Sequence, residues 1–194
     1  KPIRQSSFDE GTVTGITTDA TATVAWQYDM QSGEVGLFSA EVVGVARNDI
    51  TYGNFWVMAG AARPGATLNF NLQTGNYTAG LVVTGSTSGA SGRITAVTQA
   101  AGSGTLTLRD IVGTFVSGEL IVDTSTGSAR VSGSISTSNA ALDGTGAGTL
   151  RADTITGTGW DATFNVSGSM IRLVVTGETA KTIEWTGRVR RLVP

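Results

Sequence analysis

The sequence contains neither cysteine nor histidine. Without cysteine, the chain has no disulfide framework, no zinc–thiolate site and no thiol nucleophile. Without histidine, it has no Ser-His-Asp triad, no imidazole base and no histidine metal ligand. Chemistry at an active site would therefore depend on carboxylates, and the sequence shows no motif for a cofactor or a metal ion. We expect neither to be bound.

Charge and long hydrophobic runs are also scarce. Charged residues make up 14% of the chain, and the net charge is −2. A nucleic-acid interface needs a basic stripe, so we expect no nucleic acid as a partner. No apolar run approaches the roughly 20 residues of a membrane-spanning helix, so we expect no insertion into a membrane.

Glycine, serine and threonine are abundant. The chain has 27 Gly, 30 Thr and 17 Ser, and together they exceed a third of its 194 residues. Disordered chains combine low hydrophobicity with high net charge, whereas 40% of this chain is hydrophobic. The composition therefore predicts an ordered all-β protein with many turns.

Alternation of apolar and polar residues with a period of two is the clearest pattern in the chain. It appears in the segments 20–30, 67–72, 161–166, 170–175 and 181–192, and it predicts strands with one buried face. The segments 35–46 and 54–62 are apolar on both faces, which predicts central strands. No segment has an apolar stripe of helical period free of glycine, so we expect essentially no long helix.

These patterns predict an antiparallel β-sandwich built from residues 12–75 and 140–194. Between them, residues 78–135 contain short strands separated by Gly/Ser-rich turns. Five strands in so short a stretch favour a small barrel-like subdomain inserted at a loop of the sandwich. Residues 1–11 are polar, and we expect them to form an extended N-terminal arm.

An enzyme of this composition would use paired carboxylates, as glycosidases do. Asp49, Asp161 and Glu41 could in principle meet in a cleft. The alternative is that they lie on solvent-facing strands or at turns, and no motif raises them above that alternative. We therefore predict that the chain is not an enzyme.

Exposed aromatic rings could instead bind a glycan or a protein partner. The candidates for such contacts are Trp160, Tyr52 and Tyr77, which stand beside turn residues. The other tryptophans, Trp26, Trp56 and Trp185, lie among apolar neighbours and are predicted to be core residues.

Arginines are concentrated near the end of the sequence. Arg188, Arg190 and Arg191 could pair across strands with glutamates such as Glu184 and Glu178 on a solvated face. Alternatively they form a docking face for an acidic protein surface, to which Lys1 and Arg4 of the predicted arm could contribute.

Three stretches resemble modules of virion structural proteins from tailed bacteriophages. The first is WDATFNVSGSMIRLVVTGETAKTIEWTGRVRRL from Trp160, and the second is FSAEVVGVARNDITYGNFWVMAGAARPG from Phe38. The third is the Gly-rich block GSTSGASGRITAV, GTLTLRDIVGTFVSGELI and GSARVSG. Together they cover about residues 38–190.

The resemblance implies a non-enzymatic component of a virion surface, either a tail-fibre or spike module or a head-fibre or decoration protein. It implies a homotrimer that docks on capsid or tail proteins and could contact a host surface glycan. The alternative from the residues themselves is a carbohydrate-binding module that uses exposed aromatic side chains.

Overall fold

The structure, a computed structural model, describes residues 8–47, 51–142, 148–153 and 159–192. In these residues the chain forms fifteen strands and no helix, so none of them forms a helix that could span a membrane. The strands are β1 (Phe8–Thr17), β2 (Ala22–Asp29), β3 (Val35–Ala46), β4 (Tyr52–Ala62), β5 (Ala66–Gly75), β6 (Val82–Gly85), β7 (Ser91–Ala100), β8 (Ser103–Val112), β9 (Leu120–Asp123), β10 (Ser128–Val131), β11 (Ala141–Leu142), β12 (Gly148–Asp153), β13 (Asp161–Ser167), β14 (Met170–Thr176) and β15 (Ile183–Leu192). The predicted all-β class is confirmed.

The chain divides into two compact units. The first contains residues 1–30, 35–62 and 140–194, and the second contains residues 31–34 and 63–139. In the first unit, one antiparallel sheet has the order β1-β15-β3-β4, and β4 pairs further with β11 and β12. A second antiparallel sheet has the order β13-β14-β2.

Both sheets of the first unit contribute side chains to one hydrophobic core. Phe38 and Trp185 come from the first sheet, and Phe164 and Leu173 come from the second. Gly44 makes room for the Trp185 ring, since a Cβ at that position would lie 2.8 Å from its Cζ3 atom. The Trp185 ring therefore fits into the core because Gly44, on the neighbouring strand β3, has no side chain.

The second unit is a closed antiparallel barrel with the strand order β10-β5-β8-β7-β6-β9. The five strands predicted within 78–135 are present as β6 to β10, but the barrel has six strands, because β5 pairs with both β8 and β10. The residues of β5 were predicted to belong to the sandwich. Five strands would leave two edges unpaired, and the sixth closes the barrel and satisfies those backbone groups.

Residues 8–11 of the predicted arm belong to β1 and pair with β15, while residues 1–7 lie outside the described residues.

The strands β3 and β4 are central strands, as predicted: β3 pairs with β15 and β4, and β4 also pairs with β11 and β12. Each of the two strands has one buried face, which the even-numbered residues form in β3 and the odd-numbered residues form in β4.

A buried carboxylate ties two loops of the barrel together. The Glu119 side chain accepts hydrogen bonds from the amides of Val116 (2.7 Å) and Ser88 (3.0 Å) and from the Ser88 hydroxyl (2.9 Å). Burial raises the pKa of Glu119, but the hydrogen bonds from Ser88, Val116 and Thr87 together outweigh it, so the pKa lies below its ordinary value. The ionised form of Glu119 therefore stabilises the barrel.

We expect Glu119→Gln to destabilise the barrel by about 2 kcal/mol near neutral pH, because an amide replaces a charged acceptor and must donate where only donors surround it. Because the pKa is lowered on folding, the contribution of Glu119 is complete above its unfolded pKa and is lost as the pH falls through its folded pKa. The difference in unfolding free energy between wild type and variant should therefore shrink in acid. Denaturant unfolding between about pH 7 and pH 3 measures both effects.

Asp110→Asn is the matched control, since Asp110 is an exposed carboxylate of the same barrel. We expect it to change the free energy of unfolding by less than about 1 kcal/mol. The proposed role of the carboxylate would be contradicted if Glu119→Gln left the free energy of unfolding unchanged at neutral pH. It would also be contradicted if the loss of stability became larger in acid.

Candidate functional site

The exposed side of the first sheet combines large apolar side chains with ion pairs. We call it the outer face. Its side chains come from alternate positions of four strands: Glu10, Thr12, Thr14 and Ile16 of β1; Glu184, Thr186, Arg188 and Arg190 of β15; Val35, Leu37, Ser39, Glu41, Val43 and Val45 of β3; and Tyr52, Asn54, Trp56 and Met58 of β4. The opposite positions of these strands face the core, so strand register determines the outer face.

Large apolar side chains of β3 and β4 are exposed on the outer face. Trp56 is 51% exposed, and Met58 and Tyr52 stand two and four residues from it on the same side of β4. On β3, Val45 lies opposite Tyr52, and Leu37 and Val35 are also exposed. The expectation that Trp56 is a core residue was wrong, because its neighbours Phe55 and Val57 take the core positions of the strand.

Ion pairs lie beside this apolar surface. Arg188 Nε is 3.1 Å from Glu41 Oε2, and Arg190 Nε is 2.9 Å from Glu10 Oε1. Glu184 pairs with Arg47. The opposite charges alternate across neighbouring strands, so the outer face has no patch of one sign.

The three C-terminal arginines do not share a surface. Arg188 and Arg190 lie on the outer face and pair with Glu41 and Glu10, not with Glu184 and Glu178 as the sequence suggested. Arg191 points to the other side of β15, where its guanidinium carbon is 4.1 Å from the centroid of the Tyr28 ring. Lys1 and Arg4 lie outside the described residues.

Two of the aromatic candidates are buried, so their predicted exposure was wrong. Trp160 is 2% exposed; its indole N–H donates to Glu178 Oε2 (3.1 Å), and its ring packs edge-on against Trp185. Tyr77 is 4% exposed inside the barrel, where its hydroxyl donates to the Ile121 carbonyl (2.8 Å). Burial, with a contribution from Asp123, raises the pKa of Tyr77. Of the three candidates, Tyr52 is exposed.

The strand β2 carries an aromatic pair, Trp26 and Tyr28, that was not predicted to be exposed. The rings of Trp26 and Tyr28 are nearly parallel, with an angle of 11° between planes and 6.4 Å between centroids. Both are partly exposed and line a depression of about 140 Å³. We call it the aromatic depression, and it is lined by Glu10, Gly11, Trp26, Gln27, Tyr28 and Arg191.

A β-bulge determines the direction of these two rings. The pairing of β2 with β14 shifts between Leu173 and Val174, and the extra residue on β2 is Ala25. Because of the shift, Ala25 and Trp26 both turn inward, whereas Val24 is exposed. The uninterrupted alternation predicted for 20–30 would place Ala22 and Val24 on the same face as Trp26; this was wrong, because a bulge reverses the alternation of a strand.

Glu41 and Asp161, the two candidate carboxylates that the structure describes, lie on different sheets and are not brought together as a catalytic pair. Glu41 lies on the outer face of the first sheet and pairs with Arg188. Asp161 begins β13 in the second sheet, where its Oδ1 accepts from the Ala162 amide at 2.9 Å. Asp49 lies outside the described residues. Among the residues that the structure does describe, there is no cluster of three potential metal ligands.

The tryptophans permit a direct test of these assignments. We expect Trp160→Ala to lower the free energy of unfolding by about 3–5 kcal/mol, because it removes a buried ring and its hydrogen bond. Trp56→Ala removes the same side chain from an exposed position and should cost less than about 1 kcal/mol. Denaturant unfolding at low protein concentration compares the two, and equal losses would contradict the assigned burial.

The chain was also compared with known proteins. No protein-family model, no curated protein and no solved structure matches it. The function is therefore inferred from the residues and their geometry.

Proposed function

We propose that this chain is a non-enzymatic structural component of a tailed-phage virion surface, as a tail-fibre or spike module or as a head-fibre or decoration protein. In this proposal the two sheets of the first unit form a β-sandwich. The chain assembles as a homotrimer and docks on capsid or tail proteins. Support comes from the sequence resemblance over about residues 38–190 and from the composition of the outer face.

The observation that carries the proposal is the exposed apolar surface on β3 and β4. Soluble monomers rarely expose large contiguous apolar patches, and such patches usually mark interfaces. Trp56 and Met58 are neighbours on one face of β4, and Glu41 and Ser39 of β3 lie directly opposite them. Tryptophan and methionine are enriched at the centres of interfaces, while charged residues are concentrated at their rims.

The charges of the outer face favour a second copy of this chain as the occupant. Its three ion pairs, Arg188–Glu41, Arg190–Glu10 and Arg47–Glu184, contribute equal numbers of positive and negative groups. A surface of one sign would repel a copy of itself, whereas alternating charges can align with opposite charges of a neighbour. Homo-oligomers with closed symmetry are the usual form of such self-association.

Light scattering on the purified chain tests the assembly. We expect a mass near three times 19.9 kDa. A Trp56→Ala/Met58→Glu double variant should be monomeric, because it removes the central ring and places a carboxylate where the apolar contact forms. The matched control is Val112→Lys, which puts a charge on an exposed apolar position of the barrel and should leave the mass unchanged.

A monomeric wild-type chain, or an oligomer that survives the double variant, would overturn the proposed interface. The location on the virion is tested separately by immunogold electron microscopy of particles that carry the chain. Label on the particle surface supports the proposal, and unlabelled particles with intact chain would overturn it.

A carbohydrate-binding module is the second candidate function. The expected residues Trp160 and Tyr77 cannot stack on a sugar because they are buried. The observation that favours this candidate is instead the partly exposed pair of Trp26 and Tyr28.

A further inference from the structure

We propose that the aromatic depression binds one pyranose ring of a neutral saccharide. This rests on the second candidate function and names its ligand class, and it does not depend on the proposed assembly. Trp26 was predicted to be a core residue, and the two rings lie on a different strand from the apolar surface of β3 and β4. The proposal depends on the ring geometry, on an unused hydrogen-bond donor and on the backbone features that expose it.

The two rings present aromatic surface to the depression. Their planes differ by 11°, and their centroids are 6.4 Å apart. The face of an aromatic ring is negative, and it attracts the weakly positive C–H groups on one face of a pyranose. Phe38 packs against both rings, and the Arg191 guanidinium lies over Tyr28, so the two rings are held in place before a ligand arrives.

The indole N–H of Trp26 donates to no protein acceptor within the described part of the chain. The buried tryptophans differ: Trp160 donates to Glu178, and Trp185 donates to Thr17 Oγ1 at 2.9 Å. A tryptophan N–H in a partly buried position normally has a partner. A sugar hydroxyl oxygen is an acceptor of the right kind to supply it.

Arg191 supplies a second polar group of the depression, and its guanidinium N–H groups are donors to which a sugar hydroxyl oxygen can bind. Glu10 and Gln27 also border the depression, but the alternation of β1 and β2 directs their side chains to the faces opposite Gly11 and Trp26. Apolar ring surface with a few polar groups around it is the usual composition of a small-ligand site.

Two backbone features expose the indole edge. Gly11 lies against it, and a Cβ at that position would overlap Trp26 Nε1. The bulge at Ala25 turns Trp26 toward Gly11. Bulges commonly redirect a side chain next to a functional site, and a glycine permits close approach at such a place.

The size and charge of the depression define the class of ligand. Its volume of about 140 Å³ is well below the roughly 300 Å³ at which pockets for drug-sized ligands begin, so it suits a single ring. Arg191 is the one basic residue of its lining, and its guanidinium already lies over the Tyr28 ring. A neutral sugar needs no counter-charge, so it suits this lining better than a strongly anionic sugar does.

Saturation-transfer NMR with the full chain tests the proposal. The probes are methyl β-galactopyranoside, methyl β-glucopyranoside and N-acetylglucosamine, with N-acetylneuraminic acid as the anionic comparison. We expect transfer to the ring C–H protons of at least one neutral sugar. No transfer to any neutral sugar at millimolar concentrations, or transfer to the anionic sugar alone, would overturn the proposal.

Variants locate the binding. Trp26→Leu should weaken binding by about tenfold or more, because it removes both the ring face and the N–H donor. Tyr28→Leu removes the second, partly exposed ring and leaves Trp26 in place, so it tests the site even if Trp26→Leu fails to fold; it should weaken binding by severalfold. Far-UV circular dichroism checks that each variant is folded.

Val24→Ala is the matched control, since Val24 is an exposed residue of β2 outside the depression. It should leave sugar binding unchanged. Binding that is retained in folded Trp26→Leu and Tyr28→Leu would place the sugar elsewhere and overturn the proposal. Light scattering on the same samples reports the assembly independently, so the two proposals can fail separately.

Discussion

Backbone pairing on both sides of β3 is the constraint on which the first unit depends. Its residues 37–46 pair with β15 on one side, and its residues 35–45 pair with β4 on the other. Once this register is set, Phe38, Ala40 and Val42 must face the core, and their neighbours must face away from it. A shift by one residue would exchange the two faces of the strand. The buried core and the outer face are therefore two consequences of the same pairing.

Strand patterns could be predicted from the sequence more reliably than exposure. The alternation in 161–166 and 170–175 led to β13 and β14. Most of the apolar side chains expected to face the core are buried, and Val166 is half-buried. In 35–46 and 54–62, however, apolar residues stand at both odd and even positions. A single sequence cannot show which of two apolar faces is covered, and Trp56 was placed in the core for that reason.

The candidate site was harder to predict, because its determinants are not local in the sequence. Trp160 follows a Gly/Thr-rich stretch that is typical of a turn, but Trp185 and Glu178, which enclose it, come later in the chain. The direction of Trp26 depends on a bulge, and no residue type in 22–29 marks its position. The exposed edge of Trp26 also depends on Gly11, a residue from another strand that the alternation pattern leaves unexplained.

In the barrel, too, a strand could be predicted from the sequence without its partners. The segment 67–72 has the alternation of a half-buried strand, and Leu68 and Phe70 are indeed buried. Leu72 is instead exposed with a φ of 49°, next to the irregular pairing of β5 with β10. The strand pattern was therefore visible, but its partners were not, since pairing depends on which edge remains to be closed.

The outer face and the aromatic depression are expected to differ in how strongly they bind. A protein interface formed by the outer face would gain from burying Trp56 and Met58 in every copy. A depression that holds one sugar ring has few contacts, so a single site binds weakly. If three copies assemble, their sugar sites are presented together, and each bound ring raises the effective concentration of the next. Weak recognition at Trp26 and Tyr28 then becomes strong on a surface that displays many sugars, because assembly through the outer face supplies the multivalency that one depression lacks.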